Sequence, residues 1–407
     1  PLDPRARKPE FDEELMGQLI RFVSSHEVGH TLGLRHNMGA SSATPVEKLR
    51  DKAWVEQHGH TSSIMDYARF NYVAQPEDHI GEAGIFPRVN DYDEWAIRWG
   101  YTYYPDAKNE REERDTLNRL TVATITNNPR LWFGGEGRDN NPYALTEDLS
   151  DDVMKASDYG LLNLRRVVKS LPEWTYESGN LGDNLVRGYE AAVSQYRRYV
   201  GHVCRQIGGV KSVVKSVEQA GDVYSYDTRE RQQRALSWLD RNVLTEPTWL
   251  TSPSYGARIG MPQLRVRPTV ASAVDYLTSG TMFDRLAANA AQQPAARAYS
   301  PTTYADDLAR TLFRETQSGA RLSAWRMYVQ LRAVNNLIAA YKNDASGDGH
   351  AYVTALLTKL RTRLDASRSA DAGTRAHYAD LSRRIRLALE GAVRRRAEGY
   401  LSSLSVT

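Results

Sequence analysis

The chain has 407 residues, of which 41% are hydrophobic and 25% charged, with a formal charge of +3. This length allows two or three domains with a substantial core, and the balance excludes a disordered or low-complexity chain. No apolar run approaches the ~20 residues that cross a bilayer, Cys204 as the only cysteine excludes an internal disulfide, and so slight a charge gives no reason to expect a nucleic-acid partner.

In chain order, residues 1–11 read as a loop and a helix is predicted from Asp12, with Leu15, Leu19, Phe22 (or Val23) and His26 at helical spacing. That apolar face runs into HEVGHTLGLRH, His26 to His36, which matches the pattern H-E-x-x-H-x-x-G-x-x-H at every fixed position. Residues four apart on a helix project from one face, so His26 and His30 can share a metal ion. Glu27 points about 100° round the helix, where it can hold a metal-bound water rather than ligate. Gly33 can take a left-handed conformation, ending the helix and turning the chain so that His36 supplies a third nitrogen. Three neutral imidazoles and one open position describe a catalytic zinc site. In such a site Glu27 takes a proton from the attacking water and passes it to the leaving amine.

From Asn37 to Tyr104 the chain reads as loops and short helices, with a helix at DYDEWAIRWGY packed by Trp95, Ile97 and Trp99 or their neighbours. Within this stretch Ser63-Ile64-Met65-Asp66-Tyr67 resembles the Met-turn of the metzincin peptidases. HNMGASS, HGHTSSIMDYARFNYVAQPEDHIG and DYDEWAIRWGY resemble the bacterial zinc-dependent metalloproteases of the Met-zincin family, and LSDDVMKASDYGLLNLRRV and RALSWLDRNVLTEPTWL extend the likeness along most of the chain. The resemblance implies a Zn2+ ion, a protein or peptide substrate, export to the periplasm or beyond, and Met65 as an apolar floor beneath the histidines. For Tyr67 it implies a phenol reaching the zinc or the tetrahedral intermediate; the plain alternative is a buried ring whose hydroxyl bonds to backbone. The implied fold is mainly α, the lower half of a metzincin catalytic domain followed by an α-helical region. The sheet that precedes the zinc helix in metzincins is not expected within the 25 residues before His26.

The Gly- and Asn-rich stretch 133–143 reads as a loop and boundary, giving a zinc-binding part at 1–145 and a helical region at 146–407. Three apolar stripes mark that region: Leu185, Tyr189, Ala192, Tyr196, Val200 and Val203; Tyr328, Leu331, Val334, Ile338 and Tyr341; and Val353, Leu356, Leu360 and Leu364. Stripes of this kind make core contacts in a helical bundle. Breaks fall at LTEPTWLTSPSYGARIGMP and YKNDASGDGH, and the arginine-rich stretch near the C-terminus reads as a solvated helix face. Cys204 reads as a small buried side chain. His58 and His60 in EQHGHTSS read as exposed and unliganded, and His79, His202, His350 and His377 lack a partner pattern. Asn37 either supports the site by hydrogen bonding or caps the turn. The competing readings are a catalytically incomplete zinc-binding fragment, a helical binding or scaffold protein with a structural metal, and a zinc amidase. Glu27 weighs against a purely structural metal, which needs only the histidines.

Overall fold

The computed structural model describes residues 1–136, 141–343 and 347–404. Among these the chain is mainly helical, and it divides into two compact units. The first comprises Pro1–Arg205, Gly209–Tyr226 and Pro253–Gly260; the second comprises Gln206–Gly208, Asp227–Ser252 and Met261–Thr407.

The first unit opens with α1 (Glu13–Thr31), α2 (Lys52–His58), α3 (Glu82–Ile85), α4 (Asp91–Tyr101) and α5 (Glu110–Ile125). Two long helices follow, α6 (Val153–Trp174) and α7 (Asp183–Cys204). Asp12 starts α1 by accepting the Leu15 N–H at 2.9 Å, and Glu13 and Glu14 suit the positive helix start. Leu15 and His26 are buried, while Leu19 and Phe22 are half-buried between them; Val23 faces solvent, so Phe22 completes the stripe. The α7 stripe buries Tyr189, Ala192, Tyr196, Val200 and Val203 against α6, with Leu185 half-buried at its start. Cys204 is buried and its thiol is pushed up to about 12 by desolvation. The sequence patterns contained no strand, yet β1 (Val210–Ser212) and β2 (Tyr224–Tyr226) form an antiparallel ribbon with Lys211 opposite Ser225. Three-residue strands are too short for an alternating pattern to declare itself.

The second unit holds α8 (Arg229–Leu239), a π-helical turn (Asp240–Leu244) and α9 (Thr248–Thr251); α10 (Pro253–Ile259) belongs to the first. Then come α11 (Pro262–Thr278), α12 (Gly280–Ala291), α13 (Pro301–Leu312), α14 (Glu315–Ser318), α15 (Ala324–Asn343), α16 (Gly349–Ala366) and α17 (Ala372–Leu404). α15 packs on α11, α16 and α17, and α16 on α12 and α13. The α16 stripe of Val353, Leu356, Leu360 and Leu364 is buried throughout. On α15 the buried row is Trp325, Val329, Ala333, Val334, Leu337 and Tyr341, so the expected stripe was centred too far round the helix: Tyr328, Leu331 and Ile338 are only half-buried flanks. Arg326 on the buried side explains the offset, because a charged residue hid that face from an apolar pattern. Its guanidinium binds Glu315 at 2.7 Å and the carbonyls of Leu244, Thr311 and Leu312.

Of the loop expected at 133–143, residues 137–140 lie outside the described residues, as do 344–346 in the break expected near 341–350. For the arginine-rich stretch, side chains beyond residue 391 also lie outside; before that, Arg384 Nε pairs with Asp380 at 2.6 Å on an exposed face. No described helix is long and apolar enough to cross a membrane.

Candidate metal centre

α1 ends where the motif needs it to. Gly33 adopts φ +83°, its N–H donates to His30 O at 3.0 Å, and the Leu34 N–H donates to Gly29 O at 3.0 Å. This paired closure is the Schellman arrangement, and it requires the left-handed residue that Gly33 provides. The chain then doubles back, and ligating atoms of His26, His30 and His36 all come within 4.8 Å of one another.

Each imidazole has its outer nitrogen committed. His26 Nδ1–H donates to Ile64 O at 2.8 Å, His30 Nδ1–H to Leu34 O at 2.9 Å, and His36 Nδ1–H to a Glu136 carboxylate oxygen at 2.9 Å. Those acceptors assign the proton to Nδ1 and leave Nε2 as a lone pair in all three rings. The Nε2 atoms of His30 and His36 then face each other at 3.1 Å, and His26 Nε2 is buried with no hydrogen-bond partner. Converging lone pairs repel unless a cation lies among them. The residues present therefore fit a metal ion. Burial also lowers the His26 pKa, which favours the neutral ring that a metal requires.

Met65 is fully buried, and a Cβ added at Gly29 would overlap its Sδ. The second variable position of H-E-x-x-H is thus fixed by its contact with Met65. The turn carrying Met65 is held by two buried carboxylates. Asp93 accepts from Ser63 Oγ at 2.6 Å, Ile64 N at 2.7 Å and Asn90 N at 3.0 Å; Asp66 accepts from Ser41 N at 2.8 Å and Thr61 Oγ1 at 3.0 Å. Desolvation raises both pKa values, that of Asp66 to about 7. Asp93 also closes a capping box with Asn90 at the start of α4. Tyr92 and Asp93, not Trp99, are the buried residues of that helix; Trp99 is 40% exposed, its indole N–H bound to Thr121 Oγ1.

Tyr67 stacks on His26 with centroids 5.1 Å apart and tilts over His36 at 4.7 Å. It is 37% exposed, which sets aside the buried-ring alternative. Glu27 is exposed and, with His26, Tyr67, Leu19, Phe22 and Phe70, lines a groove of about 360 Å³. An adjoining cavity of about 380 Å³ shares Leu19, Arg69 and Phe70 with it.

A sequence model of the family described as Met-zincin matches residues 8–319. The chain is a Met-zincin. The match spans the histidine motif, the Met-turn and much of the helical chain, and the family implies zinc, peptide substrates and hydrolysis of the metalloprotease type. Neither a curated protein nor a solved structure matches this Met-zincin.

His60 departs from expectation. It is fully buried, its Nε2–H donates to Arg69 O at 3.1 Å, and desolvation pushes its pKa down to about 4. His58 is half-buried, and neither joins a metal-binding cluster among the described residues. The Asn37 side chain bonds to a distant segment rather than capping its own turn. Its amide donates to Trp132 O at 2.9 Å and accepts from Gly134 N at 2.8 Å, joining chain segments almost a hundred residues apart. Sequence reading missed Gly29, Asp66, Asp93 and Glu136. Asn90-x-x-Asp93 carried the signature of a helix start, whereas Glu136 had no local signal.

Proposed function

We propose that this Met-zincin is a zinc metallopeptidase that hydrolyses peptide bonds, with His26, His30 and His36 as ligands and Glu27 as the general base. The observation that supports the reading is the uniform commitment of Nδ1, which leaves Nε2 of each ring for a metal, with ligand atoms of the three rings within 4.8 Å of one another. A zinc ion held by His26, His30 and His36 would supply Lewis acidity toward a water and the scissile carbonyl. The Glu27 carboxylate takes the water proton during attack and delivers it to the leaving nitrogen. The Tyr67 phenol donates a hydrogen bond to the developing oxyanion. The apolar wall of Leu19, Phe22 and Phe70 excludes water and receives a substrate side chain, for which the adjoining cavity gives depth.

Metal analysis of the purified protein is expected to give one zinc per chain, lost in His30→Ala. Glu27→Ala is expected to keep the zinc while hydrolysis of an unfolded protein substrate falls by about 10²–10⁴-fold. Equal zinc in wild type and His30→Ala would sink the ligand assignment, and near-normal turnover in Glu27→Ala would remove Glu27 from the mechanism.

A further inference from the structure

We propose that Glu136 is the positioning residue of the third ligand, fixing the tautomer and ring orientation of His36 so that its Nε2 meets the ion; this rests on the reading of the three histidines as ligands.

The three imidazoles are oriented by different means. His26 and His30 stand on α1, and backbone carbonyls of Ile64 and Leu34 hold their Nδ1 atoms. His36 lies beyond the helix end, where no regular element fixes its ring. Its Nδ1 partner is a side chain 100 residues downstream. A carboxylate in that place does two things a carbonyl does less well: it makes the ligand nitrogen more basic, and it offsets part of the positive charge a metal brings.

Glu136 reaches His36 because the backbone brings it there. Besides the two Asn37 amide bonds to 132 and 134, the Met38 N–H donates to Gly135 O at 3.0 Å. A Cβ at Gly134 would come within 2.5 Å of the Gly39 backbone, so the two segments lie closer than any other residue permits. None of these contacts uses the Glu136 side chain, and replacing that side chain leaves the clamp intact. The carboxylate also pairs with Arg35 Nε at 3.1 Å. Arg35 is 69% exposed, and such a pair contributes little. The contact with half-buried His36 is the one with consequences.

The test measures zinc affinity by chelator competition, together with the visible spectrum of the cobalt(II)-substituted protein. Glu136→Ala is expected to weaken zinc about 10–100-fold and to alter the cobalt spectrum. Glu136→Gln keeps an acceptor for Nδ1–H without the charge and should fall between. Arg35→Ala should stay within about fivefold of wild type. Thermal unfolding of the metal-free proteins should be nearly the same for all. The proposal is overturned if wild type binds one zinc tightly while both Glu136 variants stay within about threefold of it and keep its cobalt spectrum. If Glu136→Ala does not fold, Glu136→Leu, which likewise offers Nδ1–H no acceptor, takes its place, and wild-type affinity and cobalt spectrum in that variant overturn the proposal. Failure of wild type to bind zinc stoichiometrically overturns the ligand reading instead, and this inference with it.

Discussion

Around the candidate centre many of the buried side chains are polar and hydrogen-bonded: Asn37, Ser41, Thr61, Ser63, Asp66, Asn90 and Asp93 are all less than 10% exposed, beside apolar neighbours such as Met38, Ala40, Ile64 and Met65. In the second unit the buried side chains are largely apolar and lie in rows along helices. The difference follows from the backbone. Loops have no internal ladder, so their N–H and C=O groups take side-chain partners, and such bonds fix position and direction together. Helices satisfy their own backbone and need only non-directional apolar contact. The first construction fixes geometry, the second supplies stability, and substitutions should separate them.

Leu360→Ala, in the fully buried α16 stripe, is expected to cost about 2–5 kcal/mol of stability and leave zinc affinity unchanged. Denaturant titration and chelator competition on the same sample check this; weakened zinc binding would break the comparison. Asp93→Asn keeps shape but sets an amide against N–H donors that now meet a carboxylate. It is expected to cost about 1–3 kcal/mol and also to weaken zinc binding, because the turn carrying Met65 loses its anchor. A loss of stability with unaltered zinc affinity would show that the turn holds without it.

Polar burial also carries a pH signature. His202 on α7 is buried, its Nε2–H donates to Thr146 O at 2.8 Å, and desolvation pushes its pKa down to about 4. The unfolded imidazole titrates near 6.5, so stability present above that pH is lost as pH falls from about 6.5 to about 4. His202→Gln should remove this dependence and gain about 1 kcal/mol relative to wild type between pH 7 and 5.5. Parallel stability curves for the two proteins would refute it. Asp66 acts in the opposite sense: with its carboxyl pushed up to about 7, it favours the folded state as pH falls through that value, so the comparison is between variant and wild type at each pH.

What could be read from residue order was whatever rests on near neighbours. His26, Glu27, His30, Gly33 and His36 lie within one helix and its closing turn, and the α16 stripe repeats every turn. Gly29 was in plain view but unremarkable, since only its contact with Met65 makes a larger residue impossible. Glu136 and the Asn37 clamp depend on contacts across about a hundred residues, for which spacing carries no information. His60 looked exposed because its neighbours are polar, but those neighbours are themselves buried. The α15 stripe misled because Arg326 is buried by its ion pair rather than by apolar character.

The clamp between residues 37–39 and 132–135 also orders events in time. During synthesis the histidine motif leaves the ribosome with its spacing complete but without the carbonyl and amide that Asn37 binds or the carboxylate that His36 binds. A growing chain adds residues at about 5–20 per second, so this interval lasts about 5–20 seconds, and contacts of such long sequence separation form late. The first two ligands can be ready while the third is still waiting. The eleven residues that identify the centre are therefore among its earliest parts to appear, and the loop that completes it is among the last.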